Sequence, residues 1–149
     1  MESSNPAGVR QAVPLYLVRH MQACIDFYVK GLGFDVTNTW LVDGEIRWCW
    51  MSMGDAAMMF QELAPASTSP NGTDQKLGLG VELCLQCDNA LLMYERATAN
   101  RLAVQEPFVG NNMWVVSLRD PDGYKISFES PTDVPEGTTY QEWNKPARP

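Results

Sequence analysis

The amino-acid sequence predicts an α+β fold built from two successive β-α-β-β-β modules. The same order of strand-like and helix-like segments occurs on both sides of a Pro-, Ser- and Gly-rich stretch. Such a repeat matters because neither copy can close its own hydrophobic core. With 149 residues, 45% of them hydrophobic, the chain can bury a core shared by both copies. We divide it into an arm (1–11), a first module (12–63), a linker (64–76), a second module (77–130) and a tail (131–149).

The first module follows from alternating and helical patterns of apolar residues. An apolar stretch at 13–18 predicts the first strand, and a helix is predicted at 21–30. Gly31 and Gly33 end this helix, as C-terminal glycines commonly do. Strands are then predicted at 35–41, 46–53 and 57–62, separated by turns at 43–44 and 54–55.

The second module repeats this order. Its strands are predicted at 81–87, 103–106, 113–119 and 124–129, with Asp88 as the cap of a helix at 90–100. The last two strands are joined by the turn Asp120-Pro121-Asp122-Gly123. Pro121 presets φ for the first turn position, and Gly123 can adopt the positive φ that closes the turn.

Charge and hydropathy restrict the class of partner and the location. A net charge of −7 argues against nucleic acid, because a phosphate backbone requires a basic face. An acidic chain would instead attract a cationic small molecule, although plain solubility explains the charge equally well. The sequence has no apolar run long enough for a membrane helix and no signal-peptide pattern at its polar start, which predicts a cytoplasmic protein.

The four cysteines, Cys24, Cys49, Cys84 and Cys87, lie among apolar residues. Cys84 and Cys87 form a C-x-x-C, but on a predicted strand positions three apart point to opposite faces. Redox pairs of this spacing usually open a helix, and structural zinc needs two further soft ligands. We therefore expect four reduced thiols in the core.

Two segments carry a resemblance to a known family. The helical segment at 26–34 and the hairpin at 115–129, in this order and spacing, resemble the corresponding segments of the vicinal oxygen chelate superfamily. That superfamily includes glyoxalase I, extradiol dioxygenases, fosfomycin-resistance enzymes and bleomycin-resistance proteins. The resemblance covers 12–130 and implies two modules whose curved sheets form a U-shaped cleft, usually supported by a homodimer. The cleft could be built within one chain or across two.

The resemblance also implies where metal ligands would lie, on the first and last strands of each module. In this sequence those positions are Val13, Phe60, Glu82 and Ser127, with Met59 or Gln61 in place of Phe60 if the register is one residue different. Only Glu82 is a plausible metal ligand, because apolar side chains cannot bind a divalent ion and a lone hydroxyl binds it poorly. The pattern is most similar to metal-less bleomycin-resistance-like members, and no cofactor is expected.

A displaced metal site is the alternative. Glu62 and Glu129 share strand faces with Phe60 and Ser127, so Glu82, Glu62 and Glu129 could form a carboxylate site for a divalent metal. The chain would then be a glyoxalase-like lyase or isomerase, or a dioxygenase-like enzyme, with Glu82 as the candidate catalytic residue. The only histidine, His20, lies at the start of the first helix, away from these positions.

Tryptophans suggest a binding surface. Trp48, Trp50 and Ser52 share one face of a strand whose other face is also apolar, while Trp40 and Trp114 lie on or beside other strands. The candidate ligand-binding residues are Glu82, Trp48, Trp50, Phe60, Trp114 and Ser127. Each tryptophan could equally pack in the core or in a dimer interface. An inward-facing Glu82 requires a partner, which could be a cationic ligand, a substrate proton or an internal base such as Arg47.

The leading functional hypothesis is therefore a homodimeric, non-catalytic binder of a small amphipathic molecule. The C-terminal tail, with Tyr140 and Trp143, is expected to dock on the partner subunit or at the mouth of the cleft. A cleft filled by the protein's own side chains, without a ligand, is the third possibility.

Overall fold

Two four-stranded sheets form the framework of the protein in a computed structural model that describes residues 4–63 and 76–146. Apart from Lys76, the predicted linker lies outside the described residues. The strands are β1 (Leu15–Val18), β2 (Asp35–Val42), β3 (Glu45–Met53), β4 (Ala56–Glu62), β5 (Glu82–Gln86), β6 (Phe108–Gly110), β7 (Met113–Arg119) and β8 (Lys125–Pro131). The helices are α1 (Met21–Ile25), which continues as a π-helical segment (Asp26–Leu32), α2 (Ala90–Ala99) and α3 (Tyr140–Trp143). No described helix is long and apolar enough to cross a membrane.

The two modules have the same topology, which confirms the predicted α+β repeat. Sheet 1 has the strand order β1-β4-β3-β2, and sheet 2 has the order β5-β8-β7-β6. In each sheet the first strand of the module pairs in parallel with the last, so that Tyr16 lies opposite Phe60 and Cys84 lies opposite Ser127. The remaining strand pairs are antiparallel.

The first helix ends at Gly33, one of the two predicted glycines, whereas Gly31 lies inside the π-helical segment. Gly33 adopts φ 93° immediately after the π-helical segment, a left-handed conformation that favours glycine. The second helix differs in its cap: the side chain of Asn89, not Asp88, accepts a hydrogen bond from the backbone N–H of Leu92. Asn89 has a non-helical backbone and stands directly before the first helical residue.

The second strand of the second module lies later than predicted. In the segment 103–106 only Val104 makes an isolated bridge, to Leu118, and β6 begins at Phe108. Pro107 is buried between the two and has no backbone N–H to donate to the sheet. The short apolar pattern located a strand in this region but not its position.

The helical layers of the two modules pack against each other. Arg96 of α2 donates from Nη1 to the carbonyl of Leu32 at 3.2 Å, and Asn100 donates from Nδ2 to the carbonyl of Gly31 at 2.9 Å. Phe60 of sheet 1 and Phe128 of sheet 2 belong to the same buried core. Each sheet therefore has a covered face, against the helices, and a second face, here called its open face.

The Asp120–Gly123 turn ties the second module to the first helix. The Oη of Tyr28 donates to Oδ2 of Asp120 at 2.8 Å, while Oδ1 of Asp120 accepts from the backbone N–H of Asp122 at 2.9 Å and of Tyr124 at 3.0 Å. Asp120 is buried, and burial raises its pKa above the usual range for aspartate. The turn is thus a structural joint between the modules.

The C-terminal tail docks on its own chain rather than at the mouth of a cleft. Tyr140 of α3 packs on Tyr94 of α2 with ring centroids 4.8 Å apart, and Trp143 contacts Trp114 at 5.4 Å. These aromatic contacts cover apolar surface on the helical side of sheet 2. They correct the expectation that the tail lies at the mouth of the cleft, whereas a contact of the tail with a partner subunit stays a prediction.

Candidate functional site

The open face of sheet 1 is aromatic and, on its inner strands, uncharged. Trp48 and Trp50 of β3 lie opposite Gln61 and Met59 of β4, and Trp40 on the edge strand pairs with Trp48. The open-facing residues of β3 and β4 are Trp48, Trp50, Ser52, Ala57, Met59 and Gln61. Trp40 is 58% exposed, whereas the opposite face of β3 buries Cys49 and Met51 completely. The prediction that Trp48 and Trp50 share one face is confirmed, and this face is the open one.

Phe60 does not lie on this face. Its side chain is completely buried, with its ring 4.8 Å from that of Tyr28 and 6.0 Å from that of Tyr16. The register therefore differs by one residue, and Met59 and Gln61 occupy the open face instead. The predicted site residue Phe60 is corrected to a core residue, because the helical layer covers its face of β4.

Val13 and Trp114 are also displaced from the predicted positions. β1 begins at Leu15, so Val13 precedes the strand, and it is half-buried. Trp114 lies opposite Val109 on the covered face of sheet 2, buried against Trp143. The Trp114 side chain does not reach an open face, which removes Trp114 from the candidate ligand-binding set.

Glu82 and Ser127, in contrast, do meet on the open face of sheet 2. Oγ of Ser127 donates to Oε1 of Glu82 at 2.7 Å and also lies 2.8 Å from Oγ of Ser117. Nζ of Lys125 lies 3.5 Å from the same Glu82 oxygen. The internal base paired with Glu82 is therefore Lys125, whereas Arg47 pairs with Glu45 and Glu62.

The surroundings of Glu82 favour its ionised form. The hydrogen bond from Ser127 is the largest cause that lowers the pKa of Glu82, and the positive charge of Lys125 lowers it further. Because the folded-state pKa is below the unfolded value, the associated stabilisation is present at neutral pH. It is lost as the pH falls through the folded-state pKa.

We expect the substitution Ser127→Ala to raise the pKa of Glu82, because it removes the donor that contributes most to the shift. A carboxyl-detected NMR titration of wild type and variant measures this directly. Ser52→Ala, a serine on the open face of the other sheet, is the matched control and should leave the Glu82 titration unchanged. An unchanged Glu82 pKa in Ser127→Ala would show that the hydrogen bond does not form in solution.

The other end of the sheet 2 open face carries Glu129, Gln86 and Cys84. Nε2 of Gln86 donates to Oε2 of Glu129 at 3.2 Å. Cys84 is exposed, which corrects its expected place in the core, and partial desolvation and the neighbouring Glu129 raise its pKa to about 11. A thiol with this pKa is protonated at neutral pH and is a weak nucleophile.

The three carboxylates of the alternative metal site do not converge. Glu62 accepts from the backbone N–H of Met21 and from Arg47 at the helical side of sheet 1, whereas Glu82 and Glu129 lie on the open face of sheet 2. Within residues 4–63 and 76–146 there is no group of three His, Cys, Asp or Glu side chains that could hold a metal. His20 lies exposed before α1, as expected.

Each open face borders its own cavities. Four cavities of about 410–520 Å³ are each lined by residues of one module alone or, in one case, of the first module and the N-terminal arm. The cavity beside Trp50 is completed by Arg10 and Gln11 of the N-terminal arm, and those beside Glu82 contain Arg119 and Lys125. The helical layers separate the two open faces within one chain, so these cavities do not join the tryptophans to Glu82.

Two residues of the open faces, Met59 and Gln61, were named from the sequence only as register alternatives to Phe60, and two more, Arg119 and Lys125, were missed. The last two could have been found, because the turn at 120–123 fixes the pairing of the residues on either side of it. Assigning the first two required knowing which face of β4 is covered, and the sequence does not show this because both faces of β4 carry apolar residues.

Solved structures share this architecture. UcmS2 is similar with a TM-score of 0.67 and 22% identity, covering 81% of this chain and 97% of that one. TnmS3, an antibiotic-binding protein from Streptomyces sp. CB03234, is similar with a TM-score of 0.60 and 21% identity over 83% and 98% of the two chains. A bleomycin-binding protein complexed with bleomycin is similar with a TM-score of 0.59 and 19% identity over 82% and 98%. At these identities the likeness establishes the fold.

The sequence itself matches a family model over most of its length. The match extends over residues 10–128 and is to the Glyoxalase/Bleomycin resistance protein/Dioxygenase superfamily. No curated protein is similar enough to this chain to count as a match. The paired modules, the sheet orders and the turn at 120–123 agree with the resemblance inferred from the sequence. The chain therefore belongs to the glyoxalase, bleomycin resistance protein and dioxygenase superfamily.

Proposed function

We propose that the protein binds and sequesters a small amphipathic molecule, without a metal, on the open faces of its sheets. The observation that carries the proposal is the row of Trp40, Trp48 and Trp50 on a face with no charged residue on its inner strands. Large exposed apolar surface on a soluble domain commonly marks a binding site, and tryptophan faces stack well on planar ligands. The apolar part of the ligand would lie on these rings.

The polar face of sheet 2 supplies complementary groups. Glu129 accepts a hydrogen bond from Gln86 but forms no ion pair with a described cation, so its negative charge is available to a cationic ligand group. The bleomycin-binding and antibiotic-binding proteins among the structural neighbours support a small-molecule ligand of this general kind. They do not identify the ligand of this chain.

A homodimer would bring the two kinds of face together. In one chain the helical layers lie between the open faces, so the aromatic face and the polar face cannot contact the same small ligand. In a symmetric dimer, sheet 1 of one protomer could face sheet 2 of its partner, and the two-fold axis would form this cleft twice. Sedimentation analysis should therefore show a dimer at micromolar concentration. A monomer that still binds ligand with both faces would contradict this arrangement.

The combined substitution of Trp48→Ala and Trp50→Ala should weaken ligand binding by at least about tenfold, since each ring contact contributes roughly 1 kcal/mol. Binding is measured by calorimetry with metal-free bleomycin and by fluorescence with the uncharged aromatic probe N-phenyl-1-naphthylamine. Trp143→Ala is the control, because Trp143 lies in the tail on the helical side.

Two results would contradict the proposed function. One is the absence of binding of both compounds to the wild-type protein. The other is stoichiometric metal in the purified protein by elemental analysis, which would favour the metal-dependent enzyme alternative.

A further inference from the structure

Two cations lie side by side at one end of the open face of sheet 2. Arg119 is the last residue of β7, Lys125 is the first residue of β8, and the two are cross-strand partners. The next open-facing pair along the strands is Ser117 and Ser127. Two cavities, of about 440 Å³ and 410 Å³, both use Arg119 and Lys125 as walls, and Glu82 lines the second of them. The pair thus stands between two recesses at the same end of the face.

The positive charge here exceeds the negative charge. Lys125 pairs with Glu82 through a contact of 3.5 Å. Arg119 donates from Nη1 to the carbonyl of Gly123 at 2.9 Å and, among the described residues, forms no ion pair with a carboxylate. On this end of the open face two cations therefore stand beside one carboxylate, in a chain whose net charge is −7. The nearby turn carboxylates are engaged by the first module, Asp120 by Tyr28 and Asp122 by Arg19.

The chemistry of the lining suits an oxygen anion. A guanidinium presents five N–H donors in a planar fork, and within residues 4–63 and 76–146 only Nη1 of Arg119 is engaged, by a neutral carbonyl. Charge-assisted hydrogen bonds from such a fork to an oxyanion are short and strong. Gln105 and Ser117 line the larger cavity and add neutral polar groups.

We propose that Arg119 and Lys125 bind an oxyanionic group, a carboxylate, sulfonate or phosphate, carried by the aromatic ligand. This inference rests on the proposed function, since it concerns the polar part of the same ligand. Lys125 and Glu129 are four residues apart on β8, so the anion subsite lies roughly 13 Å from the carboxylate of Glu129. The ligand then carries its negative group at the turn end of sheet 2 and any positive group at the Glu129 end.

A matched pair of probes tests the proposal. 8-Anilino-1-naphthalenesulfonate and N-phenyl-1-naphthylamine share one ring system, and only the first carries a sulfonate. Arg119→Gln should weaken binding of the sulfonate probe by about five- to tenfold and change binding of the uncharged probe by less than about twofold. The sulfonate preference should also fall as salt is raised, because partly exposed charges are screened.

Control variants separate a local effect from general charge or folding effects. Lys30→Gln makes the same change of charge on an exposed helical lysine and should leave both affinities unchanged. Arg119→Lys keeps the charge and should retain part of the preference. Because Arg119 also binds the turn carbonyl, Lys125→Gln provides a second variant in which that contact remains, and a thermal melt verifies that each variant is folded.

The outcomes distinguish this inference from the proposed function. If both probes bind to wild type but Arg119→Gln and Lys125→Gln leave the sulfonate preference unchanged, the anion subsite is refuted and the aromatic site stands. If neither probe binds to wild type, the proposed function itself fails, and the subsite with it.

Discussion

Phe60→Ala should destabilise the protein by about 3–5 kcal/mol, the usual cost of removing a fully buried aromatic ring. The ring of Phe60 contacts Tyr28 and Tyr16 in the core shared by both modules, so the cavity would lie where the first helix meets sheet 1. Urea denaturation followed by circular dichroism measures the loss in the free energy of unfolding. The effect is large because the surrounding strands and helix cannot collapse fully into the space.

Met59→Ala is the matched control for Phe60→Ala. Met59 neighbours Phe60 on the same strand but is half-buried on the open face, opposite Trp50. We expect it to cost about 1 kcal/mol or less in stability and to weaken binding of N-phenyl-1-naphthylamine. The opposite pattern, with Phe60→Ala stable but unable to bind and Met59→Ala unstable, would restore the register in which Phe60 lines the site.

Asp120→Ala should also be strongly destabilising, by about 3–5 kcal/mol, because three donors lose their acceptor together. These donors are Oη of Tyr28 and the backbone N–H groups of Asp122 and Tyr124. The carboxylate is buried, so water replaces it poorly. Chemical denaturation again measures the change.

Tyr28→Phe measures the contribution of the hydrogen bond between the modules separately from that of the hydrogen bonds within the turn. It removes one of the three hydrogen bonds and leaves the ring in the core, so we expect a loss of about 1–2 kcal/mol. In the Asp120→Ala background the same change should cost much less, since the shared bond is already absent. A stability of Asp120→Ala within about 0.5 kcal/mol of wild type would show that this carboxylate does not join the modules.

Much of the fold could be predicted from local patterns. The strand Met113–Arg119 was predicted with the bounds that the structure shows, because a run of mostly apolar residues ends at a turn with proline and glycine at the required positions. The end of the first helix at Gly33 followed from the same kind of local rule. β6 could not be located, since Pro107 and a three-residue strand give little periodicity.

The residues of the candidate site depend on which face of each strand is covered, and local sequence patterns do not determine this. Both faces of β3 are apolar, so the sequence alone does not decide whether Cys49 and Met51 or Trp48 and Trp50 are covered. The same ambiguity in β4 assigned Phe60 to the site and left Met59 and Gln61 as alternatives. Trp114 was misplaced for a related reason, because its exposure depends on a tail contact with Trp143.

The sequence by itself determined the two modules, their order of strands and helices, the joining turn and the family. The tertiary structure alone decided which face of each sheet is open, that Glu82 pairs with Lys125, and that Arg119 stands beside it. The physical reason is the range of the interactions. Periodicity and turn geometry arise between residues close in the chain. Which face of a strand is buried depends on helices and strands that are distant in sequence. These elements meet only when both modules form one core.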